Sequence, residues 1–309
     1  MIRLKNIVIV FIILGVNFSK AQTPQNYIYT SSGDLHDIEK MITRKDIGGV
    51  QIVYNWRSLE TAKDIYDFSG IEKDLEYLAK LNRKLFIQLQ DRFFEPQARY
   101  IPDYILNGKE FTGGLVPQYD NPGENKPIGN GWVTQHWNPA VQQRFQKLIE
   151  ELAKKFDGKI QGINLPETSI DIDMKRDKTG FSCDKYFQAE LDNLRFTRNV
   201  FKKSYVLQYV NFFPCEWEND YNYMSRLFDF ADKNNIGLGG PDIVPDKNAQ
   251  MKNSYPFFNR YKGKLSLVAM AVQEPTLTYK NPKTKKPFTK EEFVEYAEDY
   301  LGVNIISQA

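Results

Sequence analysis

The chain has 309 residues, 41% apolar and 26% charged, enough to bury one large core or two smaller ones and too apolar for a disordered polymer. A formal charge of +2, from 41 basic and 39 acidic residues, implies no broad nucleic-acid patch. Two histidines, His36 and His136, and two cysteines, Cys183 and Cys215, argue against a zinc centre built from several such ligands and against a thiol nucleophile beside a histidine. No metal or organic cofactor is expected. Carboxylates, amides and aromatics are what remains, and 21 Phe, 18 Tyr and 4 Trp provide flat faces that suit sugars as well as cores.

In chain order, the first feature is an address. Arg3 and Lys5 precede an apolar run over 7–16, and Ser19-Lys20-Ala21 follows, the pattern of a secretory signal peptide cleaved after Ala21. The run is short for a bilayer span, so no membrane insertion is expected after cleavage, and no cysteine lies near the site to take a lipid. Losing Arg3, Lys5 and Lys20 turns the charge from +2 into −1. The expected product is a secreted or periplasmic protein consisting of residues 22–309 as a single domain.

Short apolar runs then alternate with amphipathic stretches, as in a parallel α/β sheet. Strands are expected at 27–30, 50–54, 84–88, 160–164, 205–210, 236–239, 265–272 and 303–306. Several are continuously apolar, as when both faces are buried. Helical stripes recur between them: Ile71, Leu75, Leu78 and Ala79; Val141, Phe145, Leu148, Leu152 and Phe156; Phe187, Leu191 and Leu194; Phe293, Ala297, Tyr300 and Leu301. Ser69-Gly70-Ile71-Glu72 and Thr289-Lys290-Glu291-Glu292 read as capping boxes, and Asn138-Pro139 as a helix start. Eight strands with intervening helices predict a (β/α)8 TIM barrel lacking its eighth helix, because the last strand falls three residues before the end of the sequence. A doubly wound sheet is disfavoured, since no G-x-G-x-x-G turn follows an early strand. Residues 107–131, with six glycines and three prolines, read as a long loop overhanging the C-terminal face after strand three.

In such a barrel the polar residues just past each strand form the mouth. They are Trp56 and Arg57 after strand two; Gln90, Asp91 and Arg92 after strand three; Asn164 and Glu167 at strand four; Tyr209 and Asn211 at strand five; Asp242 after strand six; Gln273 and Glu274 after strand seven. These amide, carboxylate and guanidinium groups suit a ligand dense in hydroxyls, an oligo- or polysaccharide. Glu167 and Glu274 each follow an apolar strand, in GKIQGINLPE and LVAMAVQE. Glycosidic cleavage needs such a pair: an acid for the departing oxygen and a carboxylate at the anomeric carbon.

With these residues the chain resembles the clan of barrel glycoside hydrolases with catalytic glutamates after strands four and seven, which includes cellulase-like and β-galactosidase-like enzymes. VYNWRSLETAKDIYDFSGIEKDLEYLAKLNRKLFIQLQD is similar to the clan's second and third β/α units. The resemblance implies that Glu167 is the acid/base and Glu274 the nucleophile of a retaining cleavage of a β-linked glycan. Pro166 stands where the clan carries Asn directly before its strand-four Glu, and Asn164 lies three residues earlier than Glu167. Gln90-Asp91-Arg92 lacks the clan's histidine, and Tyr209 or Tyr279 would have to replace the tyrosine at strand six. These departures and the missing helix motivate a second expectation, a non-catalytic glycan-binding barrel.

Among Trp56, Trp132, Trp137 and Trp217, at least one is expected to be a sugar-stacking platform. His36 is placed on a first amphipathic helix and His136 in the overhanging loop. Asp171, Asp173 and Asp177 lack the glycine and terminal Glu of an EF-hand and read as a solvated acidic loop. Cys183 and Cys215 follow neighbouring strands, so a disulfide is geometrically reasonable, although two cysteines alone do not establish one.

Overall fold

A computed structural model describes residues 23–31, 33, 35–120, 128–272 and 278–308. Eight parallel strands close into a barrel: β1 Gln25–Ser31, β2 Ile47–Asn55, β3 Lys84–Gln90, β4 Gly162–Leu165, β5 Tyr205–Tyr209, β6 Gly237–Gly240, β7 Val268–Val272 and β8 Ile305–Gln308. They pair in chain order, and β1 meets β8 directly, Gln25 opposite Ile305. The expected barrel and all eight expected strands are present. The signal segment 1–21 lies outside the described residues, as do Gln273 and Glu274.

Inside the barrel, Tyr27, Phe86, Leu207, Tyr209, Leu267, Ala269 and Ile305 pack as one cluster. Glycine makes room for its two large rings. A Cβ on Gly49 would stand 2.4 Å from the Tyr27 ring, and one on Gly162 would stand 2.3 Å from that of Phe86. Nearer the C-terminal ends the inward positions turn polar, with Gln51 Nε2 donating to Gln88 Oε1 at 2.5 Å and to the Tyr209 hydroxyl at 2.9 Å. The filling of the barrel therefore changes from apolar to hydrogen-bonded toward the functional end.

The outer layer includes helices α1 Ser69–Lys80, α2 Pro139–Phe156, α3 Cys183–Val200, α4 Tyr223–Lys233, α5 Asn248–Asn253, α6 Tyr255–Arg260 and α7 Lys290–Glu295, the last continued by a π-helix over Tyr296–Leu301. Val141, Phe145, Leu148, Leu152 and Phe156 of α2 are all buried, as their spacing requires. Each such Leu or Phe contributes about 1.5–3 kcal/mol relative to exposure. Asn138 caps α2 by accepting from the Ala140 N–H at 2.9 Å, and Thr289 and Glu292 form the expected capping box of α7. The Ser69 box is absent. The helix begins at Ser69 itself, so its hydroxyl falls too late to cap, and Asp67 Oδ1 accepts from the Ser69 N–H instead at 2.9 Å.

Two other expectations are corrected. The first helix is a single turn, Glu39–Ile42, and His36 stands before it, exposed, with its ring 4.4 Å from that of Tyr77. The long loop is largely an antiparallel sheet in which Ile128–Thr134 lies between Arg92–Phe93 and Leu115–Asp120. Its glycine content misled because Gly131 lies within a strand, at the irregularity between Trp132, opposite Pro117, and Gly129, opposite Tyr119. Gly131 has φ 106°, and a Cβ there would lie 1.8 Å from the Phe93 carbonyl oxygen.

Candidate active site

Glu167 stands two residues beyond β4 and is held by its neighbours. The Thr168 N–H donates to the Tyr209 carbonyl at 3.1 Å, and its hydroxyl donates to the Phe212 carbonyl at 3.0 Å. The Tyr186 hydroxyl donates to the Thr168 carbonyl at 2.8 Å, and Gln208 Nε2 donates to that of Pro166. These bonds lock the turn after β4 to the end of β5, which brings Asn211 alongside. Its N–H points at Thr168 Oγ1, 3.5 Å away.

Glu167 lines a pocket of ≈ 230 Å³ whose other walls are Tyr29, Gln88, Gln90, Arg92, Phe94, Ser169, Tyr209 and Pro241. Most of its lining residues carry a hydroxyl, amide, guanidinium or carboxyl group on an apolar stem, and Phe94, 55% exposed, offers a ring at its edge. Burial pushes the Glu167 carboxyl up to about 7. A hydrogen bond from the Asn211 side chain opposes the rise, Asp242 adds to it, and Arg92 and Lys247 oppose it. Burial also raises Asp242, with Lys247 working against it. A carboxyl balanced near neutrality can both give and take a proton.

Of the residues expected at the mouth, Gln90, Arg92 and Tyr209 share this pocket with Glu167, and Asn211 and Asp242 adjoin it around a small cavity behind Pro241. Arg92 is anchored by Glu190, Nη2 to Oε1 2.6 Å, both side chains being almost fully buried. Five others serve elsewhere. Trp56 is 1% exposed, packs on Phe145 and donates from Nε1 to Glu60 at 2.9 Å, so its ring is core and not a platform. Arg57 turns outward to Asp103, 2.6 Å away, and to the Arg99 carbonyl. Asp91 is buried against His136, whose other ring nitrogen accepts from Asn193 at 3.2 Å. Trp137 is packed against Phe181 and Tyr186 and donates to Thr179 Oγ1. Asn164 is fully buried within the β-sheet, beside Gln88 and Leu207, and neither atom of its amide has a protein partner. It does not line the pocket, although its β3 partner Gln88 does.

Trp132 is also occupied, its Nε1 donating to the Pro96 carbonyl at 2.9 Å and its ring 3.7 Å from the Arg99 guanidinium. Only Trp217, of the four, leaves half its surface open, at 49%. The acidic segment after Glu167 is less solvated than expected: Asp173 is 8% exposed and paired with Arg176, and Asp177 accepts from the N–H groups of Thr179 and Phe181. Among the described residues no cluster of three or more His, Cys, Asp or Glu is placed to hold a metal ion. Cys183 and Cys215 are joined, Cα to Cα 6.2 Å, tying the start of α3 to the segment after β5.

Sequence reasoning missed Tyr29, Gln88, Ser169 and Phe94 in the pocket. Tyr29 and Gln88 were within reach of the strand periodicity, since each lies two residues beyond an inward ring, Tyr27 and Phe86. Ser169 and Phe94 sit on irregular backbone, where no period applies.

The architecture is that of a (β/α)8 barrel with a polar pocket at the C-terminal ends of its strands. No protein-family model matches the sequence, and no curated protein matches it. Solved glycoside hydrolases share the fold. The catalytic domain of beta-amylase from Paenibacillus polymyxa is similar at a TM-score of 0.60 and 9% identity, over 93% of this chain and 92% of that one. Endo-glycoceramidase II from Rhodococcus sp., in a cellobiose-like isofagomine complex, is similar at 0.52 and 12%, over 93% and 73%. A family 39 glycoside hydrolase from the gut symbiont Bacteroides cellulosilyticus WH2 is similar at 0.52 and 9%, over 93% and 56%. At such identities the likeness is one of fold.

Proposed function

We propose that this chain is an exported glycoside hydrolase that cleaves a β-linked glycan with retention, Glu167 acting as acid/base and Glu274 as nucleophile. The observation that carries the reading is the Glu167 carboxyl, raised to about 7 by burial at the end of β4 and aimed into a pocket of hydroxyl- and amide-bearing side chains. Near neutral pH a large share of Glu167 is protonated. In the first step its proton passes to the glycosidic oxygen as that oxygen leaves the anomeric carbon, and the Glu274 carboxylate forms the new bond there. Glu167 is left charged, a state favoured by Asn211, Arg92 and Lys247. In the second step it takes a proton from water, the water oxygen bonds to the anomeric carbon, and Glu274 is released. Gln88, Gln90, Ser169 and Tyr29 provide partners for sugar hydroxyls, and Phe94 an apolar face for the ring. The disulfide and the signal-like segment 1–21 support export to an oxidising compartment.

Aryl β-glycosides test the reading. Glu274→Gln should lower turnover by about three orders of magnitude or more while leaving binding nearly intact, and the first-formed product should keep its anomeric configuration by NMR. Unimpaired turnover by Glu274→Gln sinks the assignment. Tight glycan binding with no hydrolysis by the wild type, across a broad polysaccharide panel, would make this a binding barrel instead.

A further inference from the structure

Gln250, on the short helix α5, is 6% exposed and is not among the residues the sequence placed at the mouth. Its Nε2 donates to Asn211 Oδ1 at 3.3 Å. That bond determines which end of Asn211 is free. With Oδ1 engaged by Gln250, the Nδ2 end is the one left for Glu167, and an N–H donor is the partner an ionised carboxylate needs. Gln250 Oε1, by contrast, is buried with no protein partner. A small cavity of ≈ 10 Å³ adjoins Asn211, Asp242 and Gln250.

We propose that Gln250 is a positioning residue for proton transfer: its amide sets which end of Asn211 faces Glu167, and the two amides turn over together when Glu167 gains or loses its proton. In the turned arrangement protonated Glu167 donates to Asn211 Oδ1, and Asn211 Nδ2 donates to Gln250 Oε1, the acceptor otherwise unused. An amide carries a donor and an acceptor on one end group, so this pair satisfies both protonation states that a retaining acid/base must visit. The proposal rests on the reading of Glu167 as that group. The Thr168 clamp keeps Asn211 within reach of Glu167 throughout, because it is made by backbone atoms and a hydroxyl and not by the Asn211 amide.

The other charged or titratable groups facing Glu167 are Asp242 beyond β6, Lys247 ahead of α5, Arg92 beyond β3, Tyr29 on β1 and Tyr186 on α3. None of them is altered by a substitution at position 250. Titration of Glu167 can be followed by carbon NMR of protein labelled at glutamate carboxyls, its signal assigned by its loss in Glu167→Gln. Gln250→Glu replaces the amide with an acceptor-only carboxylate of the same shape, which should draw Asn211 Nδ2 toward itself. The Glu167 midpoint should then rise by about one unit or more, and by less than about half as much when Asn211→Ala is also present, where only the through-space charge remains. Gln250→Met, which can neither donate nor accept, should raise it by about half a unit, with no further rise in combination with Asn211→Ala. Equal shifts in both Asn211 backgrounds, or no shift with Gln250→Met, overturn the proposal. The titration requires no substrate, so it separates the two failures. Unimpaired hydrolysis by Glu167→Gln overturns the catalytic reading, whereas equal shifts overturn the amide relay alone.

Discussion

Asp91 and Glu167 follow neighbouring strands, β3 and β4, and burial acts on both carboxyls in the same upward direction. Their outcomes are opposite. For Asp91, His136 and Arg92 outweigh burial and hold the carboxyl below the usual range. For Glu167, burial prevails with the help of Asp242, and the carboxyl rises to about 7. What separates a structural carboxylate from a proton donor here is therefore its partner and not its depth. Asp91 faces a histidine that is itself held by Asn193, which in turn accepts from Gln146 at 3.1 Å, and the Asp91 side chain is fully buried. Glu167 faces an open pocket, and Arg92, one of the cations near it, is paired with Glu190 instead.

Removing each carboxylate should expose this difference. Asp91→Ala leaves His136 buried without its partner and should cost about 3–5 kcal/mol, measured by urea unfolding at pH 7. A loss below about 1 kcal/mol would mean that the chain from Gln146 to Asp91 is not structural. The pH dependence follows from the lowered carboxyl. Asp91 stabilises the fold above its unfolded value of about 4, and that contribution fades as the pH falls toward its folded value.

Glu167 has the opposite sign. Its folded value lies above its unfolded one, so the native state binds the extra proton, and stability falls as the pH rises from about 4.5 to about 7. Glu167→Gln should abolish this decline. The variant should match the wild type near pH 4.5 and exceed it by about 2 kcal/mol at pH 8, after allowance for partial exposure. Equal stability at both pH values would contradict the raised carboxyl. A smaller effect is expected from Asp242→Asn, which removes the charge that adds to the rise. The Glu167 midpoint, and with it the alkaline limb of activity, should move down by up to about one unit.

The legible and illegible parts of the sequence divide along the same line. The eight strands were readable because a parallel barrel buries both faces, so runs such as 85–87 and Val268–Val272 are apolar throughout. Glu167, Asn211 and Asp242 were readable because strand ends place polar residues at one mouth. Trp56, Asp91 and Trp137 occupy strand-end or loop positions of the same kind, and nothing local distinguishes them. Their burial is decided by Phe145, His136 and Phe181, partners from other parts of the chain. The pairing of Leu115–Asp120 with Ile128–Thr134 was hidden for another reason: glycine and proline signal turns, yet Gly131 and Pro117 lie inside paired strands.

Arg57 and Arg92 repeat the comparison for the cations, and here the smallest effect is expected. Both follow a barrel strand next to a residue expected at the mouth. Arg92 is buried with Glu190 and lines the pocket, whereas Arg57 leaves 45% of its side chain in solvent and pairs with Asp103, itself 63% exposed. A pair so exposed gains little over two solvated ions, because water screens the attraction and two long side chains must be ordered to make it. Its remaining bond, to the Arg99 carbonyl at 3.2 Å, joins the turn after β2 to the segment before Asp103–Asn107, away from Glu167. Arg57→Ala should therefore cost less than about 1 kcal/mol in urea and leave KM for an aryl glycoside unchanged. A rise in KM with stability intact would place Arg57 at an outer part of a longer binding cleft, and would move the boundary between the structural and the ligand-facing strand ends from β3 back to β2.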